Sequence, residues 1–381
     1  MSLLNMIKSS YIIKKILRHM EPKKIIKLIK YNKEINRKIS IDFAECIKQC
    51  LQTQIIIYPK QKTIGKFINI SAQHDYFSEL TFDNKKIEPK RNYIDKDDDI
   101  KCIRISLSFE VKSFIDLFKD CKSIKNIIFI KFNRTDIKSF KRMFFNCSEL
   151  ESIDFIQFNT KSCIDISSMF YNCSNLKYLK LDKFDTKNVR YMNSLFEGCT
   201  KLQSIDLSCL NASNVINLHR MFYLCYNLNN IKLPTNFNNK IKYMSYMFYS
   251  CHKLENIDCF NFDVSEVEDM SYLFYECKSL RLLNLSCFVT KNLIKMSNMF
   301  ANCFSLKDIN LEHFDTTKVN DMANLFKNCK TLEILNLSNF VTKELKEIGY
   351  MFYQCKSLKT LILGNFLINN IENLEYVFYN C

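Results

Sequence analysis

Glycine and proline are nearly missing from this chain, with four of each among 381 residues. That scarcity excludes collagen-like and linker-rich designs. Tryptophan is absent, and there are only five histidines: His19, His74, His219, His252 and His313. They fall in unrelated slots, and no repeat offset is read as gathering one with aspartate, serine or cysteine. A nucleophile–base constellation is therefore not expected, and the chain is read as no enzyme. No apolar run reaches the ~18 residues that a membrane helix needs. The opening MSLLNMIKSSYIIKKILRHM breaks its apolar positions with Lys8, Lys14, Lys15 and Arg18, and no small-residue cleavage site follows. It is not a secretory signal peptide. Both absences point to the cytoplasm.

Phenylalanine and cysteine are abundant, at 32 and 18. A phenylalanine followed three places later by a cysteine recurs every 26 residues, from Phe118 and Cys121 to Phe378 and Cys381. A fixed period of this size means one supersecondary unit stacked on itself. Such arrays offer long surfaces rather than deep pockets.

The stretch 267–285 shows the logic of one unit. Val267, Met270, Leu273, Phe274 and Cys277 have the spacing of an apolar helix stripe. Leu280, Leu283 and Leu285 follow, the last two alternating as in a short strand. Thr160, Thr186, Thr290, Thr316 and Thr342 stand where a hydroxyl caps a helix N-terminus. Asn146, Asn172, Asn302 and Asn328, with Gly198, precede the cysteine, where left-handed backbone ends a helix. Phe158, Phe184, Phe262, Phe288, Phe314, Phe340 and Phe366 suit a second stacked aromatic row. The expected fold is an α/β solenoid of 26-residue period, with a parallel β-sheet on one face and short helices on the other.

The repeat, as in MSYMFYSCHKLENIDCFNFDVSEVEDM and MSNMFANCFSLKDINLEHFDTTKVNDM, resembles the BspA-like leucine-rich repeat of bacterial and protist surface proteins. The resemblance covers roughly residues 110–381. It implies a leucine-rich-repeat solenoid that binds a protein ligand in adhesion or recognition, at a cell surface. It brings no catalytic residues.

Eleven cysteines form one ladder, at about the 5 Å spacing of neighbouring strands. An odd ladder cannot pair off, and no close-set pair of the C-x-x-C kind supplies zinc ligands. The thiols are read as small buried hydrophobes, with no metal and no cofactor. Cys46, Cys50, Cys102, Cys163, Cys209, Cys259 and Cys287 are scattered.

Residues 1–50 hold 12 Lys/Arg against four Asp/Glu, while the whole chain carries +15. Ile12, Ile13, Ile16, Leu17 and Met20, then Ile25, Ile26, Leu28 and Ile29, make two apolar stripes that break at Pro22. This basic helical module resembles an F-box, which implies an intracellular substrate adaptor for a cullin ubiquitin ligase; otherwise it is a cap. Residues 51–108 are expected as a small β-rich cap, and 109–381 as a solenoid of about ten repeats that stops mid-repeat.

Two surfaces are candidates for partner binding. Tyr178, Lys180, Ser204, Asp206, Asn230, Lys232, Asn256, Asp258, Asn284, Asp308 and Asn310 lie at outward strand positions. Their mixed sign argues against a phosphate-tracking groove, so no nucleic acid is expected. The second surface is tyrosine: Tyr246, Tyr249, Tyr272, Tyr275, Tyr350 and Tyr353. Tyrosine is enriched at binding hot spots. With no polar terminal repeat, self-association through the C-terminal end is a further expectation.

Overall fold

The computed structural model describes Ile12 and residues 52–70, 76–108, 110–237, 241–258, 262–364 and 366–381. The helical module expected over 1–50 lies, Ile12 apart, outside the described residues.

The N-terminal strands build two antiparallel sheets, the larger of which runs on into the coils. β1 (Thr53–Pro59) lies between β6 (Ile103–Leu107) and β7 (Ile124–Lys131), and β3 (Phe77–Phe82) pairs with β6. β4 (Lys85–Lys86) closes that sheet beside β3, while β2 (Gly65–Lys66) and β5 (Tyr93–Ile94) pair as a separate two-stranded sheet. β7 serves two systems at once. Its Ile127 is opposite Ile57 in the antiparallel pair, and opposite Ile153 of β8 (Ser152–Phe155) in a parallel one. β1 thus covers the edge that the first coil would otherwise expose, which is how a repeat array is closed.

Beyond β8 the chain is a β-solenoid with a 26-residue coil. β9 (Ser204–Asp206) pairs in parallel with β10 (Asn230–Lys232). β11 (Asn256–Asp258) pairs likewise with β12 (Leu282–Asn284), and β13 (Ile334–Asn336) with β14 (Thr360–Ile362). Each pairing sets equal slots side by side, as in Ile205 against Ile231 and Leu335 against Leu361. A second line of parallel bridges runs up the coils from Ser139 through Asp165, Tyr191 and Asn217 to Tyr243, and resumes from Asp269 to Asn373.

The face expected to be helical is not helical: among the described residues from 52 on, every element is a strand. The Phe-x-x-Cys segment is a chain of tight turns. Met143, Phe145 and Cys147 donate their N–H groups three residues back, to Phe140, Arg142 and Phe144. The residues between them donate to the next coil: Arg142 to Ser167, Phe144 to Met169, Asn146 to Tyr171. A helix needs every N–H turned along its own axis. Here every second one leaves the coil. Positive φ at Arg142 (54°) and Asn146 (59°) makes that alternation, and it recurs two residues either side of each anchor phenylalanine. The left-handed conformation expected of Asn146, Asn172, Asn302, Asn328 and Gly198 is present, but it repeats within a turn ladder rather than ending a helix.

The threonines are corrected in the same way. Thr316 Oγ1 donates to Val341 O (3.0 Å) and accepts the Val341 N–H (2.8 Å), and Thr342 does the same to Leu367 at 3.0 and 2.7 Å. They are buried clasps between coils, not caps of a helix.

The core is one continuous column. The anchor phenylalanines stack almost face to face from Phe118 to Phe378, for example Phe222 on Phe196 and Phe248 at 5.5 Å each. A second aromatic row stacks Phe132, Phe158 and Phe184 at 4.7 and 5.2 Å, and Phe288 on Phe314 at 6.1 Å. Leu210 occupies that slot next, where the row is interrupted. Each ladder thiol from Cys147 onward donates to the carbonyl of a phenylalanine 29 residues earlier, as Cys251 to Phe222 at 3.3 Å. The thiols are free, and all are buried except Cys381 at the last coil. Burial pushes Cys121, Cys303 and Cys355 up to about 12. A thiol so far from ionising is a packing group, not a nucleophile.

Candidate interaction surfaces

On the strand face, Tyr178, Lys180, Asp206, Asn230, Lys232, Asn256, Asn284, Asp308 and Asn310 are exposed, and Ser204 is half-buried. Asp258 lies in β11, with its side chain outside the described set. The parallel register brings several of them together. Lys232 Nζ is 3.2 Å from Asp206 Oδ2, and Tyr178 Oη donates to Gln203 at 3.1 Å. Asp206 also accepts both the hydroxyl and the N–H of Ser208, which hold its carboxyl below the usual range ahead of the Lys232 contact. Asn284 and Asn310 accept the N–H groups of Ser286 and Glu312. These side chains hold the loop after the strand as well as facing solvent. The face is mixed in sign, and Leu282, Ile334 and Ile362 are exposed on it beside the polar residues.

On the turn face the tyrosines form two adjoining columns. Tyr246 stacks on Tyr272 at 4.6 Å and Tyr249 on Tyr275 at 4.7 Å, with Tyr272 and Tyr275 5.4 Å apart. Tyr350 and Tyr353 stand 5.6 Å apart farther along. All six are half-buried. Burial, ahead of the neighbouring phenols, pushes Tyr249 up to about 12. Because the rings cover one another, their faces are occupied. The sequence reading missed the cations in these columns. The Arg220 guanidinium lies over Tyr223 and Tyr246 at 5.1 and 5.3 Å, and Lys327 Nζ over Tyr350 and Tyr353 at 4.9 and 5.5 Å. Slot counting finds them: Arg220 is two before Phe222, and Lys327 one after Phe326. Glu197, nearly buried in a tyrosine slot, is shifted upward by that burial, with Arg220 Nη1 3.9 Å away.

One expectation about histidine is overturned. His219 and Ser245 share a slot in neighbouring coils, and His219 Nδ1 is 2.9 Å from Ser245 Oγ. Burial, then the adjacent Arg220 charge, lowers the His219 pKa and favours the neutral ring. Two open recesses lie on the bridge side. One of about 360 Å³ is lined by Lys242, Tyr243, Ser245, Glu266, Glu268 and Asp269; one of about 330 Å³ is lined by Ser162, Ile164, Asn188, Arg190 and Asn214. Among the described residues, no three His, Cys, Asp or Glu side chains are grouped to hold a metal ion. No helix among them is long and apolar enough to cross a membrane. At the last coil, Leu374, Tyr376, Phe378 and Tyr379 are about half exposed.

A family model described as "Mycoplasma protein of unknown function, DUF285" matches five overlapping stretches, 106–205, 138–254, 164–282, 206–307 and 274–381. The chain belongs to the DUF285 family. Its match covers the whole coil array. No curated protein matches this DUF285 chain. Among solved structures, it is similar to a leucine rich cell surface protein of Faecalibacterium prausnitzii A2-165, at 15% identity over 63% of this chain and 77% of that one, TM-score 0.24. It is also similar to an LRR protein of Leptospira interrogans, at 15% identity over 60% and 64%, TM-score 0.24. The DUF285 chain thus spans less than two thirds of the Leptospira protein. Superpositions this loose add nothing to the fold already described.

Proposed function

We propose that this DUF285 chain is a non-enzymatic scaffold that binds a protein ligand, in adhesion or recognition, through the surface of its coils. One observation carries the reading. The inward slots repeat the same few residues and are mostly buried, Phe378 and Cys381 of the last coil apart, whereas the exposed strand slots change from Lys180 to Asp206, Lys232 and Asn284. A constant frame with a variable face is the arrangement that a binding surface requires. Thiols held neutral by burial support a role without chemistry. The cullin-adaptor alternative rests on residues 1–50 alone.

The test is capture of partners from the source cell by the full chain and by a variant carrying Lys180→Glu, Asp206→Lys and Lys232→Glu. Loss of the captured protein with the fold intact supports the strand face. Unchanged capture shifts the contact to the tyrosine columns. Cullin-ligase subunits that disappear on deleting residues 1–40 favour the adaptor, and labelling of the chain on intact cells by an impermeant reagent favours a surface role.

A further inference from the structure

The positive charge of the coils is not evenly spread. Consider the seven residues that follow each anchor phenylalanine, which form the ridge between the turn face and the strand face. In 275–281, 301–307, 327–333 and 353–359, seven Lys/Arg meet two carboxylates, Glu276 and Glu333. The six equivalent stretches from 119–125 to 249–255 hold six Lys/Arg against five carboxylates. Both C-terminal carboxylates are already engaged, Glu276 by Lys278 at 3.7 Å and Glu333 by Lys359 at 2.9 Å. That leaves Arg281, Lys307, Lys327, Lys330 and Lys356 with no ion pair among the described residues, and all but the half-buried Lys327 are exposed. Lys330 and Lys356 share one slot in adjacent coils, so their backbones are about 5 Å apart.

From this ridge we infer a docking surface for an acidic protein segment, lying along the last coils on Arg281, Lys307, Lys330 and Lys356. The inference deepens the protein-scaffold reading and rests on it. Cations concentrated on one edge steer and hold a chain of carboxylates. A single-stranded nucleic acid would instead need open aromatic faces on which bases stack. Those faces are occupied here. Lys330 Nζ lies over Phe304 at 4.8 Å, Lys327 covers Tyr350 and Tyr353, and Tyr353 stacks on Tyr379 at 5.3 Å.

The test uses the full chain and fluorescein-labelled deca-glutamate, read by anisotropy at low ionic strength, with decauridylate as the matched polyanion. Replacing Lys307, Lys330 and Lys356 by Gln is expected to weaken peptide binding about tenfold or more, while Gln at Lys138, Lys161 and Lys187 changes it less than about twofold. All six lysines are exposed, and unchanged circular dichroism confirms that each variant folds. Equal losses in the two variants, tighter binding of decauridylate, or no peptide binding each overturn the inference. None of these outcomes touches the strand-face capture experiment, so the two readings fail separately.

Discussion

Truncating one rung of the phenylalanine column is expected to be among the most damaging single changes the array can suffer. Phe222 is fully buried, with stacked partners at 5.5 Å on both sides. Phe222→Ala removes the ring and leaves a cavity, a change that costs about 3–5 kcal/mol in close-packed cores. The upper half of that range applies, because the neighbours cannot settle into the gap. The Phe222 N–H is tied to Met247 O at 2.9 Å, and its carbonyl accepts both the Cys225 N–H and the Cys251 thiol, at 3.1 and 3.3 Å. The preceding coil is held in the same way, by the Phe196 N–H on Met221 O at 2.9 Å and the Cys225 thiol on Phe196 O at 3.1 Å, so both adjoining coils are pinned at the cavity wall. Phe145 is the control: it is half-buried on the turn face with one stacked partner, Tyr171, at 4.3 Å, and Phe145→Ala should cost about 1 kcal/mol. Urea unfolding by circular dichroism gives the difference, and hydrogen exchange over residues 196–248 localises it. If the two variants fall within about 0.5 kcal/mol of each other, the column is not the structural spine described above.

Thr316→Val keeps the shape but strands the Val341 N–H and C=O, and should cost about 2–4 kcal/mol by denaturant melting, against about 1 kcal/mol or less for Thr316→Ser. Stability should fall steeply above pH 9. The ladder thiols titrate near 9 when unfolded but are raised by burial in the fold, to about 12 at Cys121, Cys303 and Cys355. Their stabilisation is complete below pH 9 and is lost as pH rises toward 12, by about 1.4 kcal/mol per unit for each thiol. A pH series of melts checks the slope, and a flat profile from pH 8 to 11 would contradict it. Gly198→Ala should destabilise by about 1–2 kcal/mol in the same melts, because φ is +74° and the new Cβ would stand 3.2 Å from Asn172 Oδ1.

The period, the inward phenylalanine and cysteine, the parallel strands and the second aromatic row were all legible in the sequence. Each depends only on which slots repeat. The helix was misread because Val267, Met270, Leu273 and Phe274 satisfy two geometries. A helix puts such residues on one stripe, and a run of three-residue turns does the same when alternate N–H groups pass to the next coil. The deciding signal is positive φ two residues before the anchor, and those slots hold Arg142, Ser168, Arg220 and Tyr246, residue types that do not announce it. The threonine clasps were missed because their partners are 25 residues away. The His219–Ser245 contact was in plain view once slots are compared between coils rather than within one. At the surfaces, exposure of Tyr178, Lys180 and Lys232 follows from strand alternation. The cations laid over Tyr350 and Phe304 depend on side-chain direction, which spacing does not carry.

The alternating turn ladder also makes this chain a modular ruler. Bonds between coils recur at a few fixed separations, 25 to 27 residues along the backbone and 29 for the thiols, wherever they lie in the array. Cutting out or duplicating one 26-residue unit would join identical slots and leave each remaining bond with an equivalent partner. Sequence separation between contacts would stay the same as the array lengthened, so extra coils should slow folding little. The gene could thus change the molecule's reach in steps of about 5 Å without redesigning any core position.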